Sequence, residues 1–107
     1  MDYEKMSLVL KAMADPKRMK IIDLLSYNSM CACDVLEHFD FTQPTLSHHM
    51  KVLEAAGIVA VNKQKQWHHY TLKEEFARDF MNTMAQLLSD NDTDCLCQRK
   101  ETQIEES

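Results

Sequence analysis

Four cysteines in 107 residues come as two pairs with one residue between partners, Cys31/Cys33 and Cys95/Cys97. Thiolate sulfur is the donor that soft metals and metalloids prefer. Two sulfurs this close in sequence suit one shared soft ion, or each other in a reversible disulfide. The opening Met-Asp-Tyr-Glu-Lys lacks the basic-then-apolar pattern of an export signal. No apolar run approaches the ~20 residues of a membrane span. The expected location is cytoplasmic, with no membrane partner. There thiols stay reduced, and cysteines serve metal or redox chemistry rather than structural bridges.

The elements that must position these thiols follow from apolar spacing. Met6, Val9, Leu10 and Met13 recur at helical intervals and predict a first helix over about 3–14. Asp15-Pro16 supplies a helix start, with Asp as N-cap and Pro at the first helical position. The second helix runs to about Ser26, with Met19, Ile22 and Leu25 inward. A third helix capped near Ser29 carries Cys31, Cys33, Val35, Leu36 and Phe39. After a turn at Asp40-Phe41, Thr42 caps a fourth helix reaching about Ala56, closed by Gly57. Leu46, Met50 and Leu53 form its inner stripe. Two strands follow at 58–61 and 67–71, joined by a polar loop at 62–66. A last helix spans about 73–89, with Phe76, Phe80, Met84 and Leu87 on one stripe. Residues 90–107 are polar, acidic and without periodicity, and are expected to be a flexible tail.

The order is helix, helix, helix-turn-helix, β-hairpin, helix. The expected fold is mainly α with a β-hairpin: a winged helix-turn-helix of five helices plus a wing. Residues 1–89 form one DNA-binding and dimerisation domain. A single Gly and two Pro agree with a mainly helical chain. The terminal helices carry more apolar surface than one small domain buries, so they are the expected homodimer face.

A net charge of −5 opposes DNA binding at first sight. Its distribution does not. Residues 42–72 hold Lys51, Lys63 and Lys65 against one acid, Glu54, while both flanks are acidic. Local sign governs association with phosphate. Gln43, Thr45, Ser47, His48, His49 and Lys51 on the fourth helix are the candidate DNA contacts, with Lys63 and Lys65 on the wing. The expected partner is double-stranded operator DNA. Adjacent histidines diverge by ~100° on a helix and alternate faces on a strand, so His48/His49 and His68/His69 are poor zinc chelators. The sequence contains no phosphate-binding loop, no nucleophile triad and no metalloprotease motif, so an enzyme is not expected.

Three stretches together resemble the ArsR/SmtB family of bacterial metal-responsive repressors. They are Ala14-Asp15-Pro16-Lys17-Arg18, Cys31-Ala32-Cys33-Asp34, and the run from Gln43 to Leu53 that contains Ser47-His48-His49-Met50-Lys51. The resemblance covers about residues 3–88 and is nearest the arsenic/antimony branch. It implies a homodimer that represses arsenic-resistance genes and releases DNA on binding As(III) or Sb(III) at Cys31 and Cys33. Many of that branch carry a third cysteine where this chain has Leu36. Cys95 and Cys97, from the same or the other subunit, are the candidates for a third sulfur.

Residues i and i+2 of an ideal helix point ~200° apart, so shared binding by Cys31 and Cys33 requires local unwinding of the third helix. A helix N-terminus also lowers thiol pKa. Three other readings stay open: a thiol-redox or reactive-sulfur sensor, a two-thiolate site for methylated trivalent arsenic, and a DNA-binding dimer without an effector.

Overall fold

The computed structural model describes residues 2–64 and 67–89. The expected tail, with Cys95 and Cys97, lies outside them, as does Lys65. The first helix, α1 (Tyr3–Met13), starts where the Asp2 carboxylate accepts the Lys5 N–H at 3.0 Å. Glu4 in its first turn and Lys11 in its last complement the helix dipole. Asp15 is extended and caps α2 (Pro16–Leu25), its Oδ2 accepting from the N–H groups of Lys17 and Arg18 at 3.0 and 3.1 Å. The buried positions of α2 are Ile21 and Leu25, with Ile22 and Arg18 half-buried. Met19, expected inward, is 57% exposed. The inner stripe runs 18, 21, 22, 25, a helical i, i+3, i+4, i+7 set.

The next segment departs from expectation. Met30–Cys31 form a short strand, β1, and the third helix, α3, is confined to Ala32–Leu36. Cys31 is the extended N-cap of α3 (φ −78°, ψ 159°) and is not helical. Its backbone pairs with a strand some forty residues onward, which local periodicity does not reveal. The fourth helix, α4 (Gln43–Ala55), begins after Thr42 and buries Leu46, His49, Met50 and Leu53. Gly57 follows with φ 79°, the left-handed conformation that turns the chain out of α4 and that a β-carbon disfavours.

Strands β2 (Val59–Gln64) and β3 (Trp67–Leu72) pair antiparallel from Val59↔Leu72 to Gln64↔Trp67. The expected loop at 62–66 is therefore strand as far as Gln64. Asn62, Lys63 and Gln64 are polar because the hairpin runs past the core with these residues exposed. On its other edge β3 pairs with β1 through Met30↔Tyr70 and Cys31↔His69, which makes the sheet three-stranded in the order β1-β3-β2. Ser29 and Thr71 hydroxyls meet at 2.7 Å beside that pairing.

Ile21, Val35, Leu46, Met50, Leu53, Ile58 and Val59 are almost fully buried and join α2, α3, α4 and β2 into one core. Each such side chain contributes about 1.5–3 kcal/mol by leaving water. The last helix, α5 (Glu74–Leu88), buries no residue completely. Phe76 and Phe80 stack at 5.5 Å and pack on the core, while Met81, Leu87 and Leu88 are exposed. An open groove of about 480 Å³ runs between α1 and α5, lined by Lys5, Met6, Val9, Phe76, Phe80 and Thr83 among others. Among the described residues no helix is long and apolar enough to cross a membrane.

Candidate functional site

The helix-turn-helix is α3, the turn at 37–42, and α4. Phe39 stacks on Phe41 at 4.5 Å across that turn. Lys20 from α2 donates to the His38 carbonyl at 3.0 Å, with its ammonium 4.9 Å from the Phe39 ring centroid. The turn is thereby held against α2, and α4 leaves it at a set angle. Gln43, His48 and Lys51 are exposed on α4, and Thr45 and Ser47 are half-buried. The Thr42 hydroxyl does not cap the helix but meets that of Thr45 at 3.4 Å. On the wing, Lys63 is exposed opposite His68. These side chains offer mixed donors and acceptors on α4 and a cation on the wing, the combination that base edges and phosphates require.

His49 does not join them. It is 8% exposed and faces the protein interior. Its Nδ1 lies 3.1 Å from Nη1 of Arg18. Leu46, Met50 and Leu53 share its side of the helix, and a residue three places beyond Leu46 falls on that inner stripe. His49 is therefore removed from the set of DNA contacts. Adjacent His48 is exposed, and its ring centroid lies 5.7 Å from that of His49.

Cys31 and Cys33 come together. Their Sγ atoms are 2.7 Å apart, with Cys31 half-buried and Cys33 exposed. No helix has to unwind for this, because Cys31 precedes α3 in extended backbone. Asp34, in the first turn of α3, completes a group whose ligand atoms lie within 4.8 Å of one another. Among the described residues this is the one such cluster of three or more Cys, His, Asp or Glu. The sequence singled out Asp34 as part of a motif but not as a donor. Its position beside the second cysteine was the available signal.

The expected lowering of thiol pKa is not found at Cys33. Its hydrogen bond with Cys31, and after it partial desolvation and the Asp34 charge, hold it above the ordinary thiol value; the Asp34 N–H pulls the other way. His68 meets the Tyr70 ring edge-on, while His69 is exposed and stands opposite Cys31.

An exposed polar reader helix, a β-wing and a thiol cluster at the start of the helix-turn-helix define a winged-helix DNA-binding regulator. The model of the "Bacterial regulatory protein, arsR family" matches residues 15–61. An arsenical resistance operon repressor of Staphylococcus xylosus is 45% identical over 97 residues, covering 91% of this chain and 92% of that protein. One from Staphylococcus aureus is 40% identical over the same coverage. Among solved structures, HlyU from Vibrio cholerae superposes with a TM-score of 0.68 at 27% identity, over 82% of this chain and 98% of that one. The chain belongs to the arsR family of bacterial regulatory proteins. Its family and fold are those of DNA-binding transcriptional regulators rather than enzymes.

Proposed function

We propose that this protein represses an arsenical resistance operon and leaves its operator when Cys31 and Cys33 take up trivalent arsenic or antimony. The observation that carries the reading is the contact between the two sulfurs at the junction of β1 and α3. Each thiol passes its proton to a departing hydroxide of As(OH)₃ as its sulfur bonds to arsenic. As(III) prefers three donors, and thiolates suit it. Two come from Cys31 and Cys33. The third is assigned to Cys95 or Cys97 by chemistry alone, and the Asp34 carboxylate is the described donor grouped with the two sulfurs.

The position of the site supplies the coupling. Cys31 belongs to the strand paired with wing strand β3, and Cys33 lies in the first turn of α3, which packs against α4. An ion gripping both sulfurs acts on the wing through one and on the reader helix through the other. Dimerisation is assigned to α1 and α5, where Leu8, Leu10, Met81, Leu87 and Leu88 are exposed. A dimer places two copies of α4 on successive turns of a palindromic operator. The cytoplasm is the matching compartment.

The test is fluorescence anisotropy on an operator fragment titrated with As(III) under reducing conditions. Release in wild type, and retention in Cys31→Ser and Cys33→Ser, supports the reading; release unchanged in either variant refutes it. The sulfur contact also favours a second reading, in which peroxide oxidises the two thiols to a disulfide and is reduced to two waters. DNA release by peroxide, reversed by dithiothreitol, with no response to As(III), would select it.

A further inference from the structure

Arg18 connects three helices through one side chain. Its Nε donates to the Ala12 carbonyl in the last turn of α1 at 2.6 Å. Its backbone N–H is held by the Asp15 cap at the start of α2. Its Nη1 reaches His49 Nδ1 on α4 at 3.1 Å. A guanidinium has only donors. His49 Nδ1 must therefore be the acceptor, which makes the imidazole neutral with its proton on Nε2.

We propose that His49 is a positioning residue for DNA reading: as a neutral acceptor it locks α4 to Arg18, and through Arg18 to the end of α1. The inference rests on α4 being the DNA reader but concerns the face of α4 turned away from DNA. Leu46, Met50 and Leu53 anchor α4 by apolar contact, which tolerates sliding. A hydrogen bond from the half-buried Arg18 to the buried His49 sets direction as well as distance. Because α1 is assigned to the dimer face, the same bond sets how each reader helix is held relative to its partner's.

A proton on His49 removes the acceptor and places a cation beside the Arg18 guanidinium. The groups facing His49 are Asp15, Lys17 and Arg18 at the start of α2 and His48 on its own helix, with the Phe41 ring at 5.6 Å. Burial is the largest influence holding the imidazole below its ordinary value of 6.5. Arg18, His48 and Lys17 add to it, against the pull of Asp15. The lock is thus closed at neutral pH and opens on acidification. The direction is diagnostic. Added positive charge on a DNA-facing surface strengthens phosphate binding, whereas opening the lock weakens operator binding.

His49→Asn keeps an acceptor oxygen near the place of Nδ1 and does not titrate. H49N should hold operator affinity at about pH 7.5 to within roughly threefold, and wild type should lose about tenfold relative to it as pH falls below 6.5 through the lowered His49 value. His49→Leu, of similar size but without an acceptor, should bind the operator about tenfold less tightly at about pH 7.5, with non-specific DNA affinity unchanged. Should H49L fail to fold, the wild-type and H49N pH profiles still decide. Nitrogen-15 spectra of wild type at neutral pH should show Nε2 protonated and Nδ1 bare. Superimposable pH profiles for wild type and H49N, or a protonated Nδ1, would overturn the proposal. A wild-type chain that binds no DNA would overturn the reading of α4 instead, and the nitrogen spectrum, taken without DNA, still tests the bond.

Discussion

Cys31 stands directly across the β1–β3 pairing from His69, so the first sulfur of the thiol centre and the wing share one hydrogen-bonded ladder. Movement of Cys31 toward a bound ion acts on β3 without passing through the reader helix. The Ser29–Thr71 hydroxyl contact tightens the same edge. In the proposed function the sensor and the wing therefore belong to one sheet.

That arrangement predicts where As(III) binding is felt. Amide hydrogen exchange should change on adding As(III) at residues 67–72 as well as at 43–51. A response confined to 31–36 would show that neither the wing nor α4 receives the signal.

The two cysteines should be needed for release and dispensable for grip. Cys31→Ser and Cys33→Ser should bind operator as wild type does and stay bound in As(III). Neither sulfur anchors the fold, since Cys33 is exposed and Cys31 half-buried. Urea midpoints should confirm this by moving little.

The tail cysteines are tested by truncation after Asp90. The shortened chain should need more As(III) for release but answer methylarsenite much as the full chain does, because a methylated arsenic needs only two sulfurs. X-ray absorption should find about three sulfurs per arsenic in the full chain and fewer in the truncation. Equal counts and equal As(III) sensitivity would exclude Cys95 and Cys97 as ligands.

DNA contacts divide into those that choose sequence and those that hold phosphate. Ser47→Ala or His48→Ala should reduce discrimination against mutated operators by about 1–3 kcal/mol if either makes a good base contact. Lys63→Ala should weaken binding to every sequence and lower the salt slope by about one. An unchanged operator affinity when Gln43, Ser47 and His48 are all replaced by Ala would remove α4 from the interface.

Acid should loosen the fold in two stages. The folded chain holds His49 below 6.5, so it binds that proton less readily than the unfolded chain. Stability from the neutral imidazole is complete above 6.5 and is lost as pH falls through the lower folded value. Asp15 is held below 3.8, first by the Arg18 N–H, so its contribution is complete above 3.8 and is lost at still lower pH. Urea unfolding at stepped pH should show the first loss in wild type and not in H49N. A wild-type midpoint that stays flat as pH falls through both ranges would contradict both assignments.

Most elements were legible because local signals and tertiary packing agree. Asp15-Pro16 starts α2, Gly57 ends α4, and the Leu46/Met50/Leu53 stripe is the core face that its spacing implied. The helix-turn-helix and the presence of a wing follow from residue order and period. Three matters were decided only by contacts between distant segments. Cys31 reads as helical until the free edge of β3 draws Met30 and Cys31 into the sheet. Lys63 and Gln64 read as loop because they are polar, yet cross-strand pairing with His68 and Trp67 makes them strand. His49 reads as one more polar residue of the DNA face, yet it is buried, and Arg18, thirty-one residues earlier, gives it a half-buried partner. A sequence carries periodicity and capping within a few residues. Which strand edge is free, and which buried polar group finds a partner, depends on chain segments that meet only after folding.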